Sequence, residues 1–325
     1  MKKKQAYSEY RIKGNRIRIL DFSSRRAMEA FVKKQNQQLR YAKNKRELEV
    51  LKRRATIAAS ERDPWYGTPL VTKPGDLTEH NEYLHFDLLK RLRPKVKKHL
   101  KGLKAFQDEY KVEGKKIAYN DKEMGIFSFD RAAMGLRKVR KNGQPKIVSD
   151  VKRSYAYHET RSLAESTIKL YIHAGGTGDI TGKEMVYSGI ASSLVTKLFV
   201  DKGFNVEVNV IIGTKERGQT VFTISRVKSF SGELNMNDLL LLSSSPRYYR
   251  YKGFACLIAA WDAVGWLIPA GKGASTFSHQ LKKEILRRHR KGEEKAILLE
   301  RAYNEQAVIR VIKNAIHEVN NNSKR

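Results

Sequence analysis

The sequence is poor in cysteine, in acidic residues and in membrane-spanning segments. Cys256 is the single cysteine among 325 residues, so neither an intrachain disulfide nor a cysteine zinc cluster can form. This favours an intracellular, cytoplasmic setting. The start, MKKKQAYSEYRIKG, has no apolar stretch typical of a secretory signal. The apolar run 253–271 carries Asp262 at its centre, so we expect a buried core helix there and no membrane partner.

Acidic residues are too few to balance the basic ones. The chain has 65 Lys or Arg against 34 Asp or Glu, a net charge of +31. Residues 1–60 hold 18 basic and 5 acidic residues, whereas residues 163–242 hold eight of each. An excess of this size repels itself unless a polyanion neutralises it, and nucleic acid, DNA or RNA, is the usual polyanion. An anionic membrane is disfavoured because the basic segments have few large apolar residues.

The hydrophobic pattern predicts an α/β protein. A strand is predicted at TIKLYIHA, a helix at TGKEMVYSGIASSLVTKLFVDKG and a second strand at FNVEVNVIIG. A strand–helix–strand order of this kind implies that the two strands pair in parallel. TVFTISRVKSF predicts another strand. We expect a mostly parallel central sheet, Rossmann-like or von Willebrand A-like, over residues 115–270. Residues 1–114 predict a basic, mainly helical region, and residues 271–325 a basic helical one.

An apolar stripe marks the end of the chain. It runs from Ile297 to Ile316 and predicts one helix that packs on the core or on a partner, including a second copy of the chain. The segment 115–265 resembles an uncharacterised family of phage- and plasmid-encoded proteins with a von Willebrand factor A-like core, preceded by a loop like DPWYGTP. The resemblance implies this fold and no established activity. The metal motif of that fold is replaced by HAGGTGD, so no metal site is expected.

A glycine-rich loop follows the first predicted core strand. It contains Gly176, Gly178, Gly182 and Lys183. The spacing fits neither a Walker A loop nor a dinucleotide fingerprint, so no cofactor is expected. One interpretation is a tight turn, in which we expect Gly176 and Gly178 to need positive φ. The other is contact with an anion through N–H groups at the helix N-terminus.

A cluster of rings and cations lies in SSSPRYYRYKG. Its residues are Arg247, Tyr248, Tyr249, Arg250, Tyr251 and Lys252. The rings suit stacking on unpaired bases and the cations suit phosphates. Alternatively, one or two tyrosines anchor the start of the following apolar helix. Further phosphate contacts are expected from the basic runs that include Arg53, Arg54, Lys97, Lys98, Arg287 and Arg288.

No residue of the sequence is assigned a catalytic role. His158 and Glu159 have no neighbour that would orient them, and HNEYLH does not have the spacing of a zinc-binding helix. The favoured hypothesis is a non-catalytic nucleic-acid-binding protein of a phage or other mobile element. One alternative is a virion structural or packaged protein that contacts the genome. The second is a nuclease whose site is assembled only in three dimensions.

Overall fold

The structure is a computed structural model, and it describes residues 7–12, 14–60, 65–66, 87, 89–94, 117–120, 126–127, 136–141, 144–149, 155–158, 167–176, 179–201, 204–270, 279–289 and 295–323. Contacts group the chain into two compact units. The first comprises Met1–Phe106 and Thr167–Arg325, and the second comprises Gln107–Ser166. The units differ from the predicted divisions after residues 114 and 270, because strands near both ends of the chain join one sheet.

The strands of the chain are β1 (Ser8–Ile12), β2 (Asn15–Phe22), β3 (Ile117–Asn120), β4 (Ile126–Phe127), β5 (Leu136–Lys141), β6 (Gln144–Ser149), β7 (Tyr155–His158), β8 (Thr167–His173), β9 (Asn205–Glu216), β10 (Gln219–Lys228) and β11 (Lys295–Leu299). The helices are α1 (Arg25–Asn36), α2 (Ala42–Ser60), α3 (Gly182–Asp201), α4 (Met236–Ser244), α5 (Phe254–Ala263), α6 (His279–His289) and α7 (Glu305–Ser323). The chain is therefore a mixed α/β protein.

The first unit is built on a six-stranded sheet with the order β1-β2-β10-β9-β8-β11. Three of its five pairings are parallel, namely β2 with β10, β9 with β8, and β8 with β11. β1 with β2 and β9 with β10 are antiparallel hairpins. The sheet is thus mostly parallel, as the sequence predicts.

The predicted strand–helix–strand unit is confirmed. β8 and β9 pair in parallel, with Ile168 opposite Val206 and Ile172 opposite Val210, and α3 connects them. The four side chains are buried, in keeping with the near-continuous apolar runs of parallel strands. The predicted strand at TVFTISRVKSF is β10, which returns antiparallel beside β9.

The apolar run that follows α4 is a buried helix, as predicted. Every residue of α5 up to Asp262 is buried, so the helix is covered on all sides. It ends near Gly265, which adopts φ +86. No helix in the part of the chain that the structure describes is long and apolar enough to cross a membrane.

The C-terminal apolar stripe is not a single helix. Lys295–Leu299 forms β11, paired in parallel with β8, and α7 begins only at Glu305. In KAILL, Lys295 is followed by four apolar residues, and so short an apolar run suits a strand or a helix equally by periodicity alone. Here the pairing with β8 decides, because it hydrogen-bonds the backbone of residues 295–299 to the sheet.

A buried carboxylate joins the two N-terminal helices to α5. Asp262 accepts hydrogen bonds from the backbone N–H groups of Arg40 at 3.1 Å and Tyr41 at 3.3 Å, where α1 leads into α2. It also accepts from the side chains of Gln35 and Asn44, each at 3.0 Å. The charge at the centre of the apolar run therefore fixes the position of α2.

The second unit is all strand in its described residues. β3 and β4 both pair antiparallel with β7, and β5 pairs antiparallel with β6. The register of β3 and β7 places Ile117 opposite His158. These short antiparallel strands differ from the parallel arrangement expected for the whole of residues 115–270.

Candidate functional site

The carboxyl end of β8 is where the fold brings distant residues together. β8 lies between β9 and β11, and all three strands run in parallel. Their carboxyl ends therefore meet at one edge of the sheet. From this edge the chain continues from β8 into α3, which leads to β9, and from β11 into α7, the last helix of the chain. β8 ends at His173, and the residues after β11 include Arg301 and Tyr303.

Arg301 contacts the last residue of β8. Its Nε donates to His173 Nδ1 at 2.7 Å, and its Nη2 lies 3.1 Å from His173 Nε2. Its Nη1 donates to the Tyr303 hydroxyl at 3.3 Å. His173 is buried, while Arg301 and Tyr303 are half-buried. Arg301 therefore hydrogen-bonds a histidine and a tyrosine, and neither of these two partners is a carboxylate.

The loop after β8 passes directly under Tyr249. Gly175 adopts φ +94, and a Cβ at this position would lie 2.1 Å from Tyr249 Cζ. Gly175 is therefore required both by its backbone conformation and by the close approach of the ring. Gly176 has no positive φ, so the expectation that it needs one is wrong. Gly178, the other glycine with that expectation, lies outside the described residues.

The N-terminus of α3 is closed by its own side chains. Thr181 Oγ1 accepts from the Glu184 N–H at 3.2 Å, and Glu184 Oε2 accepts from the Thr181 N–H at 2.7 Å. This is a capping box. The hydrogen bond from the Thr181 backbone lowers the pKa of Glu184. A carboxylate thus already occupies the helix end where the anion contact was expected, with Gly182 buried and Lys183 exposed beside it.

The predicted ring-and-cation cluster forms a turn of helix and a π-helical turn before α5. It is largely buried, with Tyr248 0%, Tyr249 3% and Arg250 1% exposed. Arg247 is also buried, and Tyr251 and Lys252 are half-buried. Neither Tyr248 nor Tyr249 offers a surface on which a base can stack in this fold. Their burial fits the alternative in which one or two tyrosines anchor the start of the following apolar helix.

The partners of the cluster explain its burial. The Tyr248 hydroxyl donates to Glu29 Oε1 at 2.6 Å, and burial together with this carboxylate raises the tyrosine pKa. Lys252 Nζ lies 3.6 Å from the same oxygen. Arg250 donates to the carbonyl of Ile180, and its guanidinium lies 4.2 Å from the centre of the Trp65 ring.

Two guanidinium groups act electrostatically on the buried Tyr249 side chain. Burial raises the pKa of Tyr249, and the positive charges of Arg301 and Arg250 oppose that rise. We define the strand-end cluster as His173, Gly175, Tyr249, Arg250, Arg301 and Tyr303.

The other predicted contacts are scattered. Arg53 and Arg54 are exposed on α2. Arg287 is exposed on α6 and paired with Glu284 at 3.0 Å. Arg288 is helical, but its side chain lies outside the described residues, as do Lys97 and Lys98. Arg301 is not among the site residues predicted from the sequence. Finding it would have required recognising residues 295–299 as a strand that pairs with β8, because that pairing brings Arg301 to the end of β8.

The exposed surface of α1 and α2 is strongly basic. Between residues 23 and 54, ten Lys or Arg side chains are exposed, whereas Glu49 is the only exposed acidic one. We define the basic surface as these ten residues: Arg26, Lys33, Lys34, Arg40, Lys43, Lys45, Arg46, Lys52, Arg53 and Arg54. In contrast, no group of three or more His, Cys, Asp or Glu side chains among the described residues could hold a metal ion.

The sheet and the strand-end cluster define an α/β protein with cationic side chains at the carboxyl ends of parallel strands. Residues 142–312, more than half of the chain, match a family model described as Domain of unknown function (DUF7192). The chain belongs to this family. Neither the comparison with curated proteins nor the comparison with solved structures found a match.

Proposed function

We propose that the protein binds nucleic acid, without catalysis, through phosphate contacts made by the basic surface. The observation that carries the proposal is the exposure of ten cations against one exposed acid on residues 23–54. Phosphate backbones attract such a surface because binding releases their condensed counterions. A net charge of +31 for the whole chain favours the same class of partner.

The described surface favours nucleic acid over an anionic membrane. A helix that lies in a membrane interface buries large apolar side chains opposite its cations. Val200 and Leu267 are the exposed large hydrophobic residues among those the structure describes, and neither lies on α1 or α2. The basic surface therefore offers charge without an apolar anchor.

We further propose that the core is von Willebrand A-like. Four strands support this assignment, since β8 lies between two parallel neighbours and β10 returns antiparallel beside β9. In this assignment the strand-end cluster occupies the end of β8, where HAGGTGD replaces the metal motif. The core then serves to present α1 and α2, which Asp262 attaches to α5.

The test is the salt dependence of binding to a generic oligonucleotide, measured by fluorescence anisotropy. The log–log slope should be about −0.9 per phosphate neutralised on duplex DNA. Replacing Lys52, Arg53 and Arg54 with Gln should weaken binding and reduce the slope. Arg310→Gln with Lys313→Gln is the control, because both residues are exposed on α7.

The outcome depends on where the charge is removed. If α7 variants and α2 variants weaken binding equally for each charge removed, attraction is general and the basic surface has no special role. An affinity that does not change between about 50 and 200 mM salt would contradict the proposal altogether.

A further inference from the structure

The second unit contains a two-stranded β-ribbon, formed by β5 and β6. In the described residues these two strands pair only with each other, from Leu136 opposite Ser149 to Lys141 opposite Gln144. The dipeptide between them is Asn-Gly, which favours a two-residue hairpin turn. Pro145 has no backbone N–H to offer to a further strand, so β6 suits the edge of a sheet.

Positive charge runs along the whole β-ribbon. Residues 136–149 include five Lys or Arg and no Asp or Glu. Five consecutive cross-strand pairs each hold one cation and one uncharged residue: Arg137 with Val148, Lys138 with Ile147, Val139 with Lys146, Arg140 with Pro145, and Lys141 with Gln144. This arrangement avoids like charges directly opposite each other, which destabilise a sheet. The β-ribbon therefore combines a high density of cations with regular pairing.

The two faces of the β-ribbon differ in composition. Successive residues of a strand point to opposite faces, and residues directly opposite each other share a face. We define the polar face as Arg137, Val139, Lys141, Gln144, Lys146 and Val148. The opposite face comprises Leu136, Lys138, Arg140, Pro145, Ile147 and Ser149. Gln144 and Lys146 are exposed, so the polar face is open to solvent at these two positions.

We propose that the β-ribbon enters the major groove of duplex DNA with its polar face toward the base edges. The major groove of B-form DNA is about 12 Å wide and admits a two-stranded β-ribbon. Two strands about 4.8 Å apart fit this width, and six residues at about 3.4 Å each give a length of about 20 Å. The polar face carries Arg, Lys and Gln, which are the residue types that hydrogen-bond the major-groove edges of guanine and adenine.

Duplex DNA suits the β-ribbon better than RNA or a single strand does. The major groove of an RNA helix is deep and narrow, so side chains cannot read it. Binding to single strands relies on aromatic rings that stack on the bases. Residues 136–149 contain no aromatic residue, so the β-ribbon has cations without a stacking platform.

Groove binding by the β-ribbon rests on the proposed function and narrows its partner to duplex DNA. The basic surface contacts phosphates, whereas the β-ribbon contacts base edges. The two can therefore fail separately. A protein that binds no nucleic acid loses both, whereas a protein that binds DNA without touching the major groove loses only the contact made by the β-ribbon.

Footprinting with dimethyl sulfate tests the contact directly, because this reagent methylates guanine N7, which lies in the major groove. The probe is a short mixed-sequence DNA duplex saturated with the full chain, which should protect its guanines. Arg137→Gln with Lys141→Gln should abolish the protection and weaken duplex binding by about tenfold or more. Lys138→Gln with Arg140→Gln is the matched control. It also removes one Arg and one Lys from β5, but from the opposite face, so protection should remain.

Lys146→Gln is a milder second variant, because its side chain is exposed and the change should leave the fold intact. It should reduce the protection in part. Circular dichroism establishes that each variant is folded. Unprotected guanines in a duplex that the parent protein binds overturn groove binding, as does equal loss of protection in the two β5 variants. Protection that depends on Lys52, Arg53 and Arg54 but not on the β-ribbon would place α2 in the groove and overturn it equally.

The class of nucleic acid is tested with three ligands of one sequence: a DNA duplex, an RNA duplex and a DNA single strand. Their affinities are compared by competition in fluorescence anisotropy. The parent protein should prefer the DNA duplex, and the variant with Arg137 and Lys141 replaced should lose most of that preference. Equal affinity for the two duplexes, or tighter binding of the single strand, contradicts groove binding. Failure to bind any of the three contradicts the proposed function itself.

Discussion

Gly175→Ala should destabilise the protein more than any ordinary loop substitution. Two costs add at this position. At φ +94 an alanine is strained by about 1–2 kcal/mol, by analogy with the left-handed helical region. The new Cβ would also lie 2.1 Å from Tyr249 Cζ, and forcing a buried ring aside costs about 1–3 kcal/mol. We therefore expect a loss of about 2–5 kcal/mol.

Gly14 separates the two costs. It has φ +75, and a Cβ there would have nothing within 4 Å. Gly14→Ala should thus show the strain alone. Tyr249→Leu removes the ring atoms that Gly175→Ala would meet, so in that background the alanine should cost no more than it does at position 14. The coupling between the two substitutions should be about 1–3 kcal/mol.

Thermal and urea unfolding, followed by circular dichroism, measure these losses. A loss of about 2–5 kcal/mol should lower Tm by roughly 4–10 °C in a unit of this size. If Gly175→Ala lowers the free energy of unfolding no more than Gly14→Ala does, Tyr249 does not lie as close to Gly175 as the structure shows. If the cost is the same with and without the Tyr249 ring, the strain argument survives but the overlap argument does not.

Three other predictions concern buried or capped groups. Asp262→Ala should cost about 3 kcal/mol or more in urea unfolding, because it leaves several buried donors without their acceptor. Glu184 has a lowered pKa, so its stabilising effect is present above the pKa of the unfolded side chain and is lost as pH falls through the folded one. Glu184→Gln should therefore cost about 0.5–1 kcal/mol near neutral pH and little in acid. Burial raises the pKa of the Cys256 thiol to about 12, so it should react with thiol reagents only after unfolding.

Each of these three has a result that would count against it. An Asp262→Ala variant as stable as the parent would mean that its hydrogen bonds do not hold α2 in place. A Glu184→Gln variant with the same acid profile as the parent would mean that the charge of Glu184 does not stabilise the start of α3, since a glutamine can also close a capping box. Rapid labelling of Cys256 in buffer would mean that α5 is not buried.

Local signals predicted the elements that depend on local chemistry. Serine is a residue type favoured at helix N-caps, and the Ser24 side chain caps α1 by accepting from the Ala27 N–H at 3.1 Å. The β-branched runs around α3 predicted two strands because their apolar residues are nearly continuous. These features arise from residues a few positions apart, so the sequence displays them directly.

Long-range pairing produced the features that the sequence did not show. β11 is a strand because it lies beside β8, with Ile297 opposite Leu170, and the two residues are far apart in the chain. Arg301 meets His173 only after that pairing forms. The residues 247–252 resemble a surface patch in composition, yet Tyr248 is buried against Glu29. Composition does not specify which side of a helical turn faces the core.

The cations of the described residues differ in how strongly water and salt screen their charge, so their contributions can be distinguished by varying the salt concentration. A buried cation such as Arg18 is matched inside the protein by Glu9 at 2.8 Å and by the ring of Trp266. The basic surface is exposed, so its attraction for phosphates is screened over about 8 Å at physiological salt. Arg18 is buried, so salt screens its pairing with Glu9 less. We therefore expect oligonucleotide binding that depends on Arg53 to weaken steeply as salt rises, while the cost of Arg18→Gln in urea unfolding stays nearly constant. If that cost falls along the same salt curve as the binding does, burial does not protect the Arg18–Glu9 pair from screening and the two groups of cations behave as one electrostatic surface.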